Sequence, residues 1–224
     1  MDAFNNADGK IIWDHVVSEI QDKKDYLGYL DGKGGDGDHG INMNKGFTIF
    51  QNQCLIGDCD FIQGLSQLGM VLLTQIGGSM GPIYGTIFMC MADALPSDTQ
   101  RITLEDFTAM LQAGYDGLLE IIEARVGDKT LVDTLSPAVD SLKASLSSGS
   151  NFAQALLEMK KAAVHGRDST LDMVAKYGRS SRTGERSRGM IDAGAASCCI
   201  ILCAMADGIL SCLHGVSALQ DAKN

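Results

Sequence analysis

Proline is scarce in this chain, at 3 of 224 residues, and aromatic side chains make up only 6% of it. Both shortages argue against a β-sandwich, whose strands favour aromatic residues and whose many turns favour proline. Basic charge is also short. The 18 Lys and Arg residues face 28 Asp and Glu, a formal net charge of −10. Such a chain lacks the basic surface that grips nucleic acid or an anionic membrane. The seven cysteines contain no C-x-x-C pair, and seven is odd. Cys198, Cys199 and Cys203 fall in an apolar run at helical spacing. That pattern suits small buried hydrophobes in a reducing compartment. Residues 1–10 are polar and hold no signal-peptide core. The longest apolar run, 198–206, falls short of the roughly 20 residues of a membrane span. The expectation is a soluble, cytoplasmic protein with no nucleic-acid partner and no membrane.

What is present is a core. The chain is 45% hydrophobic and 21% charged, the balance of a folded globular protein. The apolar spacing is helical almost throughout. Ile12, Val16 and Ile20 share one face, as do Leu65, Leu68, Leu72 and Ile76. Leu131, Leu135, Val139, Leu142 and Leu146 form another stripe. The pattern predicts eight helices, at 8–30, 41–53, 60–75, 82–95, 103–123, 131–147, 151–176 and 194–214, and no strands. Asp60, Thr103 with Asp106, and Ser150 or Asn151 offer helix caps, and Pro82 suits a first turn. No linker divides the chain, so residues 1–224 read as one all-α domain, an up-and-down antiparallel bundle. Its glycine-rich connections, 31–40, 77–81, 126–133 and 178–197, all follow odd-numbered helices. In an up-and-down array they gather at one end.

The first of these connections carries the strongest chemical signal. Asp31, Asp36 and Asp38 place three carboxylates within eight residues, separated mainly by glycine. Like charges so close repel one another and call for a cation. A hard divalent ion that keeps positions open for water or phosphate, such as Mg²⁺, suits them. The literal match of Gly35-x-Gly37-x-x-Gly40 to the dinucleotide fingerprint is rejected, because a helix precedes it where a strand is required. There is no P-loop. An EF-hand also fails, since Lys33 and Asn42 occupy its third and twelfth positions.

The other connections are anion-friendly. Gly77-Gly78-Ser79-Met80-Gly81-Pro82 opens a helix with free N–H groups. Gly127-Asp128-Lys129-Thr130 sets a cation and a hydroxyl at another helix start, and a plain capped turn accounts for it equally well. Residues 178–194 concentrate Arg179, Arg182, Arg186 and Arg188, whose forks suit phosphate. His15, His165 and His214 stand alone on helical faces and read as structural.

These four stretches together resemble the nucleotide-binding L subunits of dihydroxyacetone kinases. The resemblance rests on Gly35-Asp36-Gly37-Asp38-His39-Gly40-Ile41-Asn42-Met43, Gly81-Pro82-Ile83-Tyr84-Gly85-Thr86, Gly127-Asp128-Lys129-Thr130 and Gly184-Glu185-Arg186-Ser187. It spans nearly the whole chain and implies a closed barrel of eight antiparallel helices with ADP or ATP held by the loops at one end. By resemblance, Asp31, Asp36 and Asp38 hold two Mg²⁺ ions that bridge the nucleotide phosphates. His39 and Asn42 line the nucleotide or metal shell, and Gly78 and Ser79 donate to phosphate. Met80, Ile122 and Leu131 stand around the base, and Arg179 and Asp192 complete the pocket. No protein nucleophile is implied, because phosphoryl transfer depends on positioning and charge neutralisation.

The related fatty-acid kinase type has Thr where His39 stands, so His39 points to the sugar-kinase branch. With no room for a ketose-binding K domain, the chain resembles the separate-subunit kind. There a partner K subunit holds the short ketose, and a phosphotransferase-system protein rephosphorylates the bound ADP. The alternatives are a non-catalytic relative that senses nucleotide state and contacts a transcription regulator, or a kinase for another ketose such as a tetrulose.

Overall fold

The computed structural model describes the backbone of residues 2–221 and the side chains of residues 2–213. Among the described residues there are nine α-helices: α1 (Gly9–Asp22), α2 (Lys24–Gly32), α3 (His39–Cys54), α4 (Phe61–Gln75), α5 (Met80–Asp93), α6 (Leu104–Ile121), α7 (Val132–Ser147), α8 (Phe152–Ser169) and α9 (Ala193–Asp221). The fold is all-α, as expected, with nine helices in place of eight. The helix expected over 8–30 breaks at Lys23, whose φ of −93° and ψ of 6° leave the helical region. Neither glycine nor proline marks that break, so the apolar stripe runs through it unseen. The helix expected over 151–176 stops at Ser169. There the hydroxyls of Ser169 and Thr170 turn back onto Gly166 O and Arg167 O and compete with the helical ladder.

Three helix starts follow their caps. Asp60 accepts from Gln63 N at 2.7 Å, and Asn151, rather than Ser150, accepts from Gln154 N at 2.8 Å. Thr103 and Asp106 cap each other's backbone reciprocally. One feature contradicts the strand-free expectation. β1 (Ala3–Asn5) pairs antiparallel with β2 (Arg101–Thr103), Phe4 opposite Ile102. Three residues are too few for alternation to register.

Successive helices pack on one another, and α9 packs against both α8 and α1, so the packing order closes on itself. One cluster of buried apolar side chains runs from Phe4 to Leu213. At its centre Trp13 stacks on Phe61, ring centroids 5.5 Å apart, with Phe50 edge-on at 5.5 Å. The apolar stretch of α9 is longer than the expected 198–206. Ala193–Leu213 is long and apolar enough to cross a membrane, yet 72% of its most apolar window is buried inside the bundle as a core helix. Cys198, Cys199 and Cys212 are buried along it, and all seven cysteines are free thiols. The α2–α3, α4–α5, α6–α7 and α8–α9 connections open together on one cavity. The strand pair lies instead before α1 and in the α5–α6 connection.

Candidate functional site

The acidic loop is built by short-range constraints. Asp31 sits in the last turn of α2, and its carbonyl accepts from Gly34 N and Gly35 N at 3.1 and 2.6 Å. A Cβ at Gly35 would meet Asp31 Oδ1 at 2.5 Å, so a side chain here would displace the Asp31 carboxylate. Gly37, at φ 76°, then reverses the backbone into α3. The result brings one oxygen each from Asp31, Asp36 and Asp38 within 4.8 Å of one another. The Arg179 guanidinium pairs with Asp36, so the cluster already attracts a cation. Its donors are hard carboxylate oxygens with open sides, and they fit Mg²⁺.

Behind the acids, the His39 amide donates to Asp31 Oδ2 at 3.4 Å, and His39 Nε2 lies 2.9 Å from Ser197 Oγ. Ser197 is fully buried and also lies 2.6 Å from the Tyr84 hydroxyl. Both hydroxyls can donate to Gly194 O, at 3.1 and 3.2 Å. Burial pushes the His39 pKa down against the pull of Asp31, which favours a neutral ring. Burial likewise pushes the Tyr84 phenol well above its usual range.

The glycine turn offers donors. Gly77, Gly78 and Ser79 line the cavity, and among the described residues their N–H groups have no acceptor within the chain. Gly78 adopts φ 76°, and Met80 opens α5. Together with the helix dipole, such N–H groups attract an anion.

The 126–133 connection is held by Asp133, which accepts from Gly127 N and Thr130 N at 2.5 and 2.8 Å. It puts Leu131 in the cavity wall, but Lys129 does not present a free cation. Lys129 is 3% exposed and donates to four backbone carbonyls of the 170–190 segment. Of the two readings of this stretch, a cation at a helix start or a plain turn, the structure shows a turn whose lysine lines the cavity but commits its ammonium to these internal carbonyls.

Asp192 precedes α9, and its Oδ2 accepts from Ala195 N at 2.8 Å. Burial, only partly offset by that bond and by Lys129, raises its pKa to about 6. Ile122 ends α6 at φ −130° and ψ 152°, an extended conformation open to any residue.

All the residues expected at the site, Asp31, Asp36, Asp38, His39, Asn42, Gly78, Ser79, Met80, Ile122, Leu131, Arg179 and Asp192, line one cavity of about 510 Å³. The four-arginine concentration does not arrive whole. Arg179 lines the cavity, while Arg182, Arg186 and Arg188 are exposed outside it. Arg188 turns to Glu185 and Asp172 O. His15 and His165 are exposed and away from the cavity, and the His214 side chain lies outside the described residues. Sequence reasoning missed Ser197 as the partner of His39, Tyr84 as the partner of Ser197, and Tyr177, Met190 and Ile191 as wall residues. Nothing in their spacing marked them.

A helical bundle whose mouth joins three carboxylates, unpaired backbone N–H groups and an arginine is built to hold a metal-chelated anion. The chain belongs to the DAK2 domain family, whose model matches residues 33–207. It is 39% identical over 176 residues to the ADP-binding subunit DhaL of the PEP-dependent dihydroxyacetone kinase of Escherichia coli (strain K12), covering 78% of this chain and 83% of that protein. It is 32% identical to the ADP-binding subunit DhaL of the PTS-dependent dihydroxyacetone kinase of Lactococcus lactis subsp. lactis (strain IL1403), covering 80% and 85%. The dihydroxyacetone kinase of C. freundii, solved in complex with AMP-PNP and Mg²⁺, shares the fold at a TM-score of 0.66 and 22% identity, over 89% of this chain. This chain spans only a third of that larger kinase (33%). These relatives are kinases, and the chain is a phosphotransferase component.

Proposed function

We propose that this chain is the nucleotide-binding subunit of a separate-chain, phosphotransferase-system-dependent dihydroxyacetone kinase of the cytoplasm. The observation that carries the reading is the position of Asp31, Asp36 and Asp38 in one cavity with the unpaired N–H groups of Gly77, Gly78 and Ser79. The names of the DhaL relatives add ADP binding, and the C. freundii complex adds a nucleotide analogue with Mg²⁺. Asp31, Asp36 and Asp38 would hold two Mg²⁺ ions, which when bound neutralise phosphate charge and polarise the transferred group. Gly78 and Ser79 donate N–H groups to phosphate, and Arg179, paired with Asp36, adds a positive charge. His39 and Asn42 close the phosphate end. Met80, Ile122 and Leu131 pack against the base, and Asp192 sets the start of α9 beside it. The acceptor is a short ketose on a partner K subunit, and a phosphotransferase-system subunit recharges the nucleotide.

The test is to denature the purified protein and identify what it releases. Stoichiometric ADP with Mg²⁺ supports the coenzyme mode. Absence of nucleotide, together with no binding of added ADP or ATP in Mg²⁺, overturns the reading.

A further inference from the structure

We propose that Lys129 is a positioning residue whose buried ammonium acts as an internal cation, gathering the 170–190 segment so that Arg179 and Asp192 face the cavity. The Lys129 ammonium reaches Thr170 O at 2.9 Å, Met173 O at 3.2 Å, Ser187 O at 2.6 Å and Met190 O at 2.6 Å. These acceptors come from both ends of the segment, so one side chain ties its entry to its exit. Other bonds also hold the segment, among them Gly189 N to Leu171 O at 2.7 Å, Asp192 N to Thr170 Oγ1 at 3.1 Å and Lys176 N to Asp128 O at 3.2 Å, but each engages a single acceptor where Lys129 gathers four. Between α8 and α9 the segment contains only short 3-10 turns, and Arg182, Glu185, Arg186 and Arg188 are exposed. Ser187 adds an internal tie, accepting from Ala175 N at 2.9 Å and donating to Gly184 O at 2.7 Å.

An ammonium has three donors and no acceptor, so a ring of four carbonyls saturates it and leaves none for a ligand. The backbone confirms the commitment. Lys129 alone among the described non-glycine residues adopts a positive φ, 62°, a conformation that costs a non-glycine residue energy. That strain aims the side chain inward from a turn already held by Asp133. The four carbonyl oxygens accept from charged N–H donors, so a small ammonium ion, which offers such donors where sodium does not, can replace the side chain once it is removed.

The relevance of Arg179 and Asp192 to nucleotide rests on the function proposed above; the clamp does not. Two measurements therefore use protein without nucleotide. In the wild type, reductive methylation with peptide mapping should leave Lys129 unmodified while Lys10, Lys161 and Lys176 react. Labelling of Lys129 at the rate of those exposed lysines overturns the clamp. In Lys129→Ala, trypsin should cut after Arg179, Arg182, Arg186 or Arg188 at least about tenfold faster, because the local opening equilibrium loses several buried hydrogen bonds. Ammonium chloride, but not sodium chloride, should slow the cutting again. Unchanged cutting, or no difference between the two salts, overturns the proposal.

With nucleotide present, Lys129→Ala should lose affinity while turnover at saturating nucleotide stays within a few fold of wild type. Recovery of affinity by ammonium separates a positioning role from a general loss of fold. A wild type that binds no nucleotide would sink the functional reading and leave the labelling and cutting results standing.

Discussion

His39 Nε2 lies 2.9 Å from Ser197 Oγ, joining the first turn of α3 to the first turns of α9. The two residues are 158 positions apart, and the bond ties the acidic loop to the segment that carries Asp192. It also fixes the ring from behind, while the backbone of His39 faces Asp31. Tyr84 completes the chain on the far side of Ser197.

Ser197→Ala should free the His39 ring without unfolding the bundle. The lost bond is worth about 1 kcal/mol, so affinity for Mg-nucleotide should fall roughly fivefold. Imidazole ¹⁵N shifts should report a change from one ring form to a mixture of tautomers. Tyr84→Phe should do less, because Ser197 keeps both His39 and Gly194 O as partners. Equal or larger losses in Tyr84→Phe would show that the phenol, not the serine, orients the ring.

Asp36→Asn should have opposite effects with and without Mg²⁺. Asp36 and its partner Arg179 are both about half exposed, so losing that pair costs little. Removing one of three crowded negative charges relieves repulsion. Without metal, the thermal midpoint should therefore stay level or rise slightly. With Mg²⁺ and ADP, the ligand-induced rise in midpoint should largely vanish. A full ligand-induced shift in the variant would remove Asp36 from the metal site.

The end of the bundle that holds the site was legible in the sequence, and the reason is topological. Loops after alternate helices must share an end, so Asp31, Gly78, Leu131 and Arg179 could be grouped before any contact was known. The splitting of the first helix does not disturb this, because α1 and α2 run on almost without interruption across Lys23. Side-chain caps at Asp60, Thr103 and Asn151 were legible because capping chemistry is local. The Lys129 clamp was not. Its four acceptors are backbone carbonyls, which every residue carries, so no residue type announces them. The same holds for Arg182, Arg186 and Arg188. Composition gathered four arginines, while the path of the backbone decided that only Arg179 turns inward.

Asp192 gives the folded state a pH dependence. Burial raises its carboxyl from an ordinary 3.8 to about 6, so the folded chain binds this proton more tightly than the unfolded chain. The contribution is fully present below about pH 4 and is lost as pH rises through 6. Other carboxylates add their own slopes, so the test is a difference. In the nucleotide-free protein, stability of wild type relative to Asp192→Asn should fall between pH 4 and 6 and level off above that. A flat difference across this window would mean that Asp192 titrates as an exposed carboxylate.

Gly40→Ala should disable the metal end without touching an acid. A Cβ at Gly40 would stand 2.0 Å from Lys24 O and 2.7 Å from Gly28 N. Both are backbone atoms of α2, so no side-chain rotation relieves the clash and α3 must move away from α2. Overpacking of this kind costs about 3 kcal/mol, on the order of a 10 °C fall in thermal midpoint for a chain of this size. Asp31 belongs to α2, whereas Asp38 immediately precedes α3. Separating the two helices therefore spreads the carboxylates, and Mg-dependent nucleotide retention should drop together with stability. Gly57→Ala is the control, because a Cβ there meets nothing within 4 Å and should leave both properties unchanged. Retention of nucleotide by a destabilised Gly40→Ala would show that the acidic loop holds its shape independently of the α2–α3 contact.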